Sequence, residues 1–63
     1  MQNALTTQPV ILRIENQIWS LRVPRTEKVM ASGEANTANE AVDDAYHWAK
    51  LNGCHIYATE SVN

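Results

Sequence analysis

The stretch TANEAVDDAYHWAKLNG, from Thr37 to Gly53, decides the fold because it specifies one helix with a single apolar side. Thr37 followed by Glu40 is a capping box, in which a hydroxyl and a carboxylate serve the first free amides of a helix. Asn52-Gly53 predicts the helix end, since glycine readily adopts the left-handed conformation. With successive residues about 100° apart, one stripe contains Ala38, Ala41, Val42, Ala45, Trp48 and Ala49. The stretch therefore predicts a helix over Thr37–Asn52 whose small side chains allow it to lie close to a sheet.

Two alternating segments precede this helix and predict an antiparallel hairpin. In residues 10–15 and 18–23, apolar side chains alternate with others at the two-residue period of a strand. Asn16-Gln17 between them has the length of a hairpin turn, although it lacks glycine. The side chains predicted to face the helix are Val10, Leu12, Ile14, Trp19, Leu21 and Val23.

Residues 28–35 and 54–59 predict further strands. In the first, Val29 and Ala31 would face inward and Met30 outward, and Gly33 suggests a bulge or strand end. In the last strand, the side chains expected to face the helix are Cys54, Ile56 and Ala58, and those expected to face away are His55, Tyr57 and Thr59. The fold class is α+β: an antiparallel three- to four-stranded sheet with one helix packed across one face, in the order ββ(β)αβ. Residues 1–8 are expected to form a flexible N-terminal tail and residues 9–63 a single small domain.

Composition indicates a folded chain from a reducing compartment. Of its 63 residues, 44% are hydrophobic and 19% charged, which is unlike a disordered segment. The single cysteine, Cys54, cannot form an intramolecular disulfide. No apolar run has the length of a membrane span. We therefore expect a soluble, cytoplasmic protein that does not bind membranes.

The polar residues of the helix offer little chemistry. Asp43, Asp44 and His47 lie away from the apolar stripe, and solvated carboxylates make poor general bases. His47, Cys54 and His55 lack the paired spacings of zinc ligands, and strand neighbours point to opposite faces. The two glycines are too far apart for a phosphate-binding loop. We therefore expect no catalytic residues, no cofactor and no metal, and hence no enzyme.

The sheet face opposite the helix is the predicted binding surface. It would present a mixture of aliphatic, aromatic and basic side chains, a composition typical of interfaces. The predicted anchors are Arg13, Arg22, Met30 and Tyr57, with Ile11 and Ile18 as apolar support. The function predicted is that of a non-enzymatic protein-binding module, a small regulator or inhibitor that occupies a surface of a larger host protein. An ordinary half-solvated sheet surface, or a homodimer through this face or an edge strand, is the alternative.

Two other kinds of ligand are alternatives to a protein bound at the sheet face. A basic and aromatic sheet face can bind single-stranded nucleic acid, with Tyr57 as the stacking platform, but the net charge of −2 makes nucleic acid the less favoured ligand. Alternatively, the acidic helix face of Glu40, Asp43 and Asp44 could bind a basic partner by mimicking nucleic acid. Charge is divided along the chain, at +2 over residues 1–28 and −4 over residues 29–63.

The segment TANEAVDDAYHWAKLNGCHIYAT, residues 37–59, contains a T-x-x-E-A-x-x-x-A cover helix followed by a strand. With the preceding hairpin, it resembles small phage-encoded inhibitors of host enzymes, including one class of RNA polymerase inhibitor. The resemblance implies a regulator encoded by a phage or another mobile element. Basic residues that such inhibitors carry on their last strand are missing from residues 54–59, so the resemblance assigns no functional residue.

Overall fold

The computed structural model describes residues 7–62 and contains four strands and one helix. In chain order the elements are β1 (Gln8–Glu15), β2 (Ile18–Arg22), β3 (Val29–Glu34), α1 (Ala38–Leu51) and β4 (Cys54–Val62). The predicted α+β class and the uncertain third strand are both confirmed. Most of the predicted N-terminal tail lies outside the described residues, and Gln8 already belongs to β1.

The sheet is mixed, so the prediction of a wholly antiparallel sheet is wrong. The strand order is β3-β2-β1-β4. Both β1–β2 and β2–β3 are antiparallel, whereas β1 and β4 are parallel. The helix explains the difference, because α1 carries the chain back across the sheet and β4 then runs in the same direction as β3 and β1.

The helix packs on the sheet through its alanines. Ala41, Ala45 and Ala49 are buried against a strand layer whose fully buried side chains are Val10, Leu12 and Leu21. Val42 and Trp48 pack beside them and remain partly exposed. Ala38, which was predicted to lie on the buried stripe, is exposed, so contact with the sheet begins one turn later.

The ends of the helix follow the sequence signals. The Thr37 hydroxyl accepts a hydrogen bond from the Glu40 amide at 3.1 Å, which is one half of the predicted capping box. Gly53 adopts φ 68°, in the left-handed region expected after a helix. Asn16 takes φ 60° in the β1–β2 turn, a conformation that asparagine tolerates better than most residues, which explains why this turn needs no glycine.

Two β-bulges change which side chains face the helix. Leu21 pairs with Ala31 and Arg22 pairs with Val29, so Met30 is an extra residue in β3. A bulge interrupts the two-residue alternation. Val29 therefore lies on the same face as Arg22 and is exposed, so its predicted inward direction is wrong.

The second bulge lies in β4. Val10 pairs with Ile56 and Ile11 pairs with Ala58, so Tyr57 is the extra residue. Since paired residues share a face, Ala58 lies beside Ile11 and away from the helix. Thr59 pairs with Leu12 on the helix side. The predicted directions of Ala58 and Thr59 are therefore both wrong.

Val23 also differs from its prediction. The strand β2 ends at Arg22, so the alternation that assigned Val23 to the helix side no longer applies. Its side chain lines a cleft together with Ile11 and Arg22, which face away from the helix.

Gly33 serves packing and does not form a bulge. It pairs with Trp19 across β2 and β3, and the Trp19 indole lies directly over it. A Cβ atom on Gly33 would lie 2.7–2.9 Å from the indole atoms Nε1, Cε2 and Cζ2. Only glycine therefore allows the buried Trp19 ring to lie across β3.

We predict that Gly33→Ala lowers the free energy of unfolding by about 1–3 kcal/mol, because the added methyl group overpacks against the indole. A decrease in the free energy of unfolding would be diagnostic, since alanine in place of glycine ordinarily stabilises a strand. Urea denaturation followed by tryptophan fluorescence measures the change. The matched control is Ser32→Ala in the same strand, where the side chain is exposed and no loss is expected. A Gly33→Ala protein as stable as wild type would contradict the packing of Trp19 on Gly33.

Candidate functional site

The open face, defined here as the face of the sheet opposite α1, carries its side chains in three rows across the strands. The hairpin-end row contains Glu34, Ile18, Glu15 and Val62. The middle row contains Ser32, Ser20, Arg13 and Glu60. The loop-end row contains Val29, Arg22, Ile11 and Ala58. The four strands that carry the predicted anchor residues therefore contribute to one continuous surface.

Both bulges occur at the loop-end row, one on each edge of the sheet. Met30 is the extra residue beside Val29, and Tyr57 is the extra residue beside Ala58. Each bulge therefore leaves a large, exposed side chain without a cross-strand partner at one end of the row whose centre is formed by Arg22 and Ile11. The large apolar side chains exposed in the described chain are Ile18, Val29, Met30, Tyr46, Leu51 and Tyr57. Four of these six belong to the strands of the sheet, and Tyr46 and Leu51 belong to the helix.

The predicted anchors Arg13 and Arg22 are diagonal neighbours on adjacent strands, since Ile11 pairs with Arg22 and Arg13 pairs with Ser20. Side chains in such positions are typically about 7–8 Å apart. Both arginines are partly buried, and the Nε atom of each is hidden from solvent without a hydrogen-bond partner. Packing, not hydrogen bonding at Nε, therefore holds the two guanidinium groups against the face.

A cleft of about 250 Å³ opens beside these arginines. It is lined by Ile11, Arg13, Arg22, Val23, Pro24, Glu27 and Glu60. One wall is the turn after β2, which is closed by hydrogen bonds from Val23 N to Lys28 O at 2.9 Å and from Glu27 N to Val23 O at 2.7 Å. The cleft therefore combines apolar walls with charges of both signs.

Glu27 in this turn is a weak partner for Arg22. Its backbone has φ 56°, a left-handed conformation that costs free energy for glutamate. The Glu27 Oε1 atom lies 3.9 Å from Arg22 Nη1, and the Glu27 side chain is 78% exposed. Exposed ion pairs of this kind contribute little stability. Arg22 therefore keeps most of its capacity to pair with another carboxylate.

The open face also contains a group of carboxylates that the alternation of residues in the sequence did not predict. Glu60 would face the helix in a regular strand, but the Tyr57 bulge places it on the open face beside Arg13. Glu34 joins the same face through its pairing with Ile18. The predicted basic face is thus a face of mixed charge. The sequence contained one indication that Glu60 lies on this face, because apolar residues stop alternating with polar ones after Ala58.

The acidic helix face forms a separate concavity. Glu40, Asp43 and Asp44, which were predicted as the alternative surface, line a shallow hollow of about 430 Å³ with Glu34, Ala35 and Asn36. Glu34 comes from the end of β3, and sequence reasoning did not include it. Within residues 7–62, no group of three His, Cys, Asp or Glu side chains is arranged to hold a metal ion.

No helix within the described part of the chain has the length and apolar character needed to cross a membrane.

Comparison with known proteins gives no relative: no protein-family model, curated protein or solved structure matches this chain.

We predict that the open-face side chains contribute little to the stability of the monomer. At low protein concentration, Met30→Ala and Tyr57→Ala should each change the free energy of unfolding by about 0.5 kcal/mol or less, because both side chains are exposed. Leu12→Ala, which removes a fully buried side chain on the helix side, should cost about 2–5 kcal/mol. Chemical denaturation of the three variants provides the comparison. A large loss for Met30→Ala or Tyr57→Ala would mean that these residues belong to the core.

Proposed function

We propose that this protein is a non-enzymatic protein-binding module that occupies a surface of a larger protein with its open face. The observation that supports the proposal best is the loop-end row, where exposed Val29, Met30 and Tyr57 flank Arg22. Aromatic, methionine and arginine side chains are enriched at protein interfaces, and tyrosine and arginine often supply much of the binding energy. Arg13, Ile11 and Ile18 extend the same surface.

The mixed charge of the open face favours a protein over a nucleic acid as the ligand. Three carboxylates lie on this face together with the two arginines, those of Glu15, Glu34 and Glu60. Carboxylates at these positions would repel a phosphate backbone, and affinity for nucleic acid depends mainly on contacts to phosphate. A protein surface can supply groups of both signs and so match this pattern. Single-stranded nucleic acid remains the alternative ligand of the same face.

The bulges favour binding through the face over addition of a strand at an edge. The edge strands are β3 and β4, and each carries a bulge. Bulges at sheet edges interrupt the regular row of amide and carbonyl groups that another strand would need. Met30 and Tyr57, the extra residues of these bulges, are exposed, which supports a docking role for them.

The small size and the likeness in layout to phage-encoded inhibitors support a role as a regulator or inhibitor from a phage or mobile element, acting in the cytoplasm. Such a protein needs no chemistry of its own. It acts by covering a surface that its target uses.

We predict that Arg22→Glu combined with Tyr57→Ala abolishes capture of the partner, because the change removes an anchor and reverses a central charge. The matched control is Lys50→Glu with Tyr46→Ala on the exposed side of α1. Tyr46 is 49% exposed and Tyr57 is 51% exposed, so the two double variants lose equivalent aromatic surface on different sides of the molecule. Affinity capture by the tagged proteins, with nuclease present and with quantitative mass spectrometry, identifies partners lost only from the open-face variant.

Binding of the purified partner to both double variants then completes the experiment. Circular dichroism must show that each variant is folded. Equal affinity of the two variants for the partner would exclude the open face. If the captured material disappears on nuclease treatment and a single-stranded oligonucleotide binds with a steep salt dependence, the nucleic-acid alternative is correct.

The acidic hollow supports a second candidate function. Glu40, Asp43 and Asp44 of the helix line this hollow beside the end of β3, and the side chain of Glu34 in β3 lies on the open face, so the helix supplies the acidity of the hollow. A basic protein, including a nucleic-acid-binding cleft blocked by charge mimicry, would suit this surface.

For this candidate we predict that Asp43→Lys with Asp44→Lys weakens binding of the partner while Arg22→Glu with Tyr57→Ala does not. Both aspartates are exposed, so the protein should stay folded. Affinity should also fall as salt is raised from 50 to about 300 mM, because exposed charges are screened over a Debye length of about 8 Å at physiological ionic strength. Titration of the isolated partner at several salt concentrations measures both effects, and an affinity that is insensitive to salt would argue against the acidic hollow.

A further inference from the structure

We propose that a second copy of this chain covers the open face when the partner is absent, in a face-to-face dimer with a two-fold axis that runs across the strands. The inference concerns the same surface as the proposed function and rests on that function for its regulatory meaning: the dimer would compete with the partner. The existence of the dimer depends only on the pattern of side chains on the open face.

Charge on the open face changes sign along the strands. The hairpin-end row carries Glu34 and Glu15 on either side of Ile18, with no cation in the row. The middle row contains one charge of each sign, Arg13 and Glu60. The loop-end row contains Arg22, and the adjoining exposed turn carries Arg25 and Lys28 against the single carboxylate of Glu27. One end of the face is therefore acidic and the opposite end is basic.

This polarity selects one of the two simple ways to stack identical faces. A two-fold axis parallel to the strands would keep their direction, so that each acidic row would meet the acidic row of the other copy. An axis across the strands reverses their direction, so that each hairpin-end row meets the loop-end row of the other copy. Opposed like charges are costly at an interface, whereas complementary charges fix its orientation. The charge pattern therefore favours the second arrangement, which is isologous and closes on itself.

The antiparallel arrangement also matches individual positions. It sets each strand against the same strand of the other copy, so Arg22 of one copy lies over Ile18 of the other, between Glu15 and Glu34. At the β4 edge, Ala58 meets Val62, with the extra residue Tyr57 next to Ala58 in the chain. In the middle row, the small Ser20 and Ser32 meet their own copies and allow the sheets to approach. Arg13 and Glu60 also lie over their own copies, and each has the opposite charge of the other copy diagonally across from it; the favourable contacts of Arg22 with Glu15 and Glu34 therefore carry the preference for this arrangement. Every one of these positions follows from the register of the sheet.

The size of the face indicates a dimer that can be displaced. Four strands spaced by about 4.8 Å give the width of the face, and the three rows together occupy about 20 Å along the strands. The projected area is therefore on the order of 400 Å². Specific interfaces usually bury about 800 Å² of accessible surface on each partner. The face offers about half of that area, which is the size of a weak, transient complex, and a larger protein that also contacts the rim could replace the second copy.

The experiment measures the dissociation constant of the dimer by analytical ultracentrifugation over about 1–500 μM protein, a range suited to a weak complex. The wild type should dimerise, and added salt should weaken the dimer. Arg22→Glu alone should weaken it at least about tenfold, since Glu at position 22 would face two carboxylates. Glu15→Arg with Glu34→Arg should weaken it similarly, because two arginines would then face Arg22. Lys50→Glu on the helix is the control and should have no effect.

An equal mixture of the two charge-reversed proteins provides the sharpest test. In a mixed dimer, the glutamate at position 22 of one chain faces the arginines at positions 15 and 34 of the other. The native Glu15 and Glu34 of the first chain face the native Arg22 of the second. A heterodimer that forms more tightly than either homodimer, detected by native mass spectrometry, together with homodimers of both variants that are weaker than that of the wild type, would support the antiparallel arrangement. With the axis parallel to the strands each row would meet its own copy, so reversing the charge of a row would not weaken the homodimer. A mixture with no preference for the heterodimer, or a wild type that stays monomeric throughout the range, would overturn it.

These outcomes are separate from those of the proposed function. If the wild type is monomeric and the open face still binds a partner, the dimer is wrong and the binding module stands. If the mixed dimer forms but no partner is lost on open-face substitution, the dimer stands and the open face serves self-association alone.

Discussion

The close contact between the alanine side of α1 and the sheet is the constraint on which the rest of this structure depends. Ala41, Ala45 and Ala49 let the helix axis lie near the strands, and the capped ends fix its length. Alanines bury little apolar area, so the hydrophobic contribution comes mainly from the strand side, where Leu12 and Leu21 are fully buried. One helix of this length covers one face of four strands and leaves the other open, because the chain has no second helix among its described residues.

The two bulges determine what the open face presents. Each occurs in an edge strand and at the same row, so the sheet is irregular on both sides of Arg22 and Ile11. The extra residues are large and apolar, and their exposure has no benefit for the monomer core. An irregular edge also hinders pairing with a foreign strand. The bulges thus discourage association through the edges while they enlarge the apolar surface on the face, which is why both proposals concern the face.

Arginine on this face has two physical roles. The stems of Arg13 and Arg22 cover the sheet, as long basic side chains often do, while their guanidinium groups remain available to a carboxylate. The guanidinium group of Arg22 is not neutralised strongly, since Glu27 is exposed and its carboxylate lies 3.9 Å away. A ligand that covers this face excludes water from around the arginines, so a carboxylate that it brings to them gains more than it would in open solvent. The same logic applies to a foreign protein and to a second copy, and only the source of the carboxylate differs.

The sequence by itself determined the elements whose signals are local. The helix, its caps, the first hairpin and the buried side of β1 follow from periodicity and capping between neighbours in the chain, and the candidate residues Arg13, Arg22, Met30 and Tyr57 follow from the same alternation. Only the tertiary structure decided the parallel pairing of β1 with β4 and the bulges at Met30 and Tyr57. These features depend on which strand lies alongside and in which register, and a single strand's alternation contains no information about its neighbour. For that physical reason, the mixed charge of the open face, which includes Glu60 beyond the predicted last strand, became visible only in the assembled sheet.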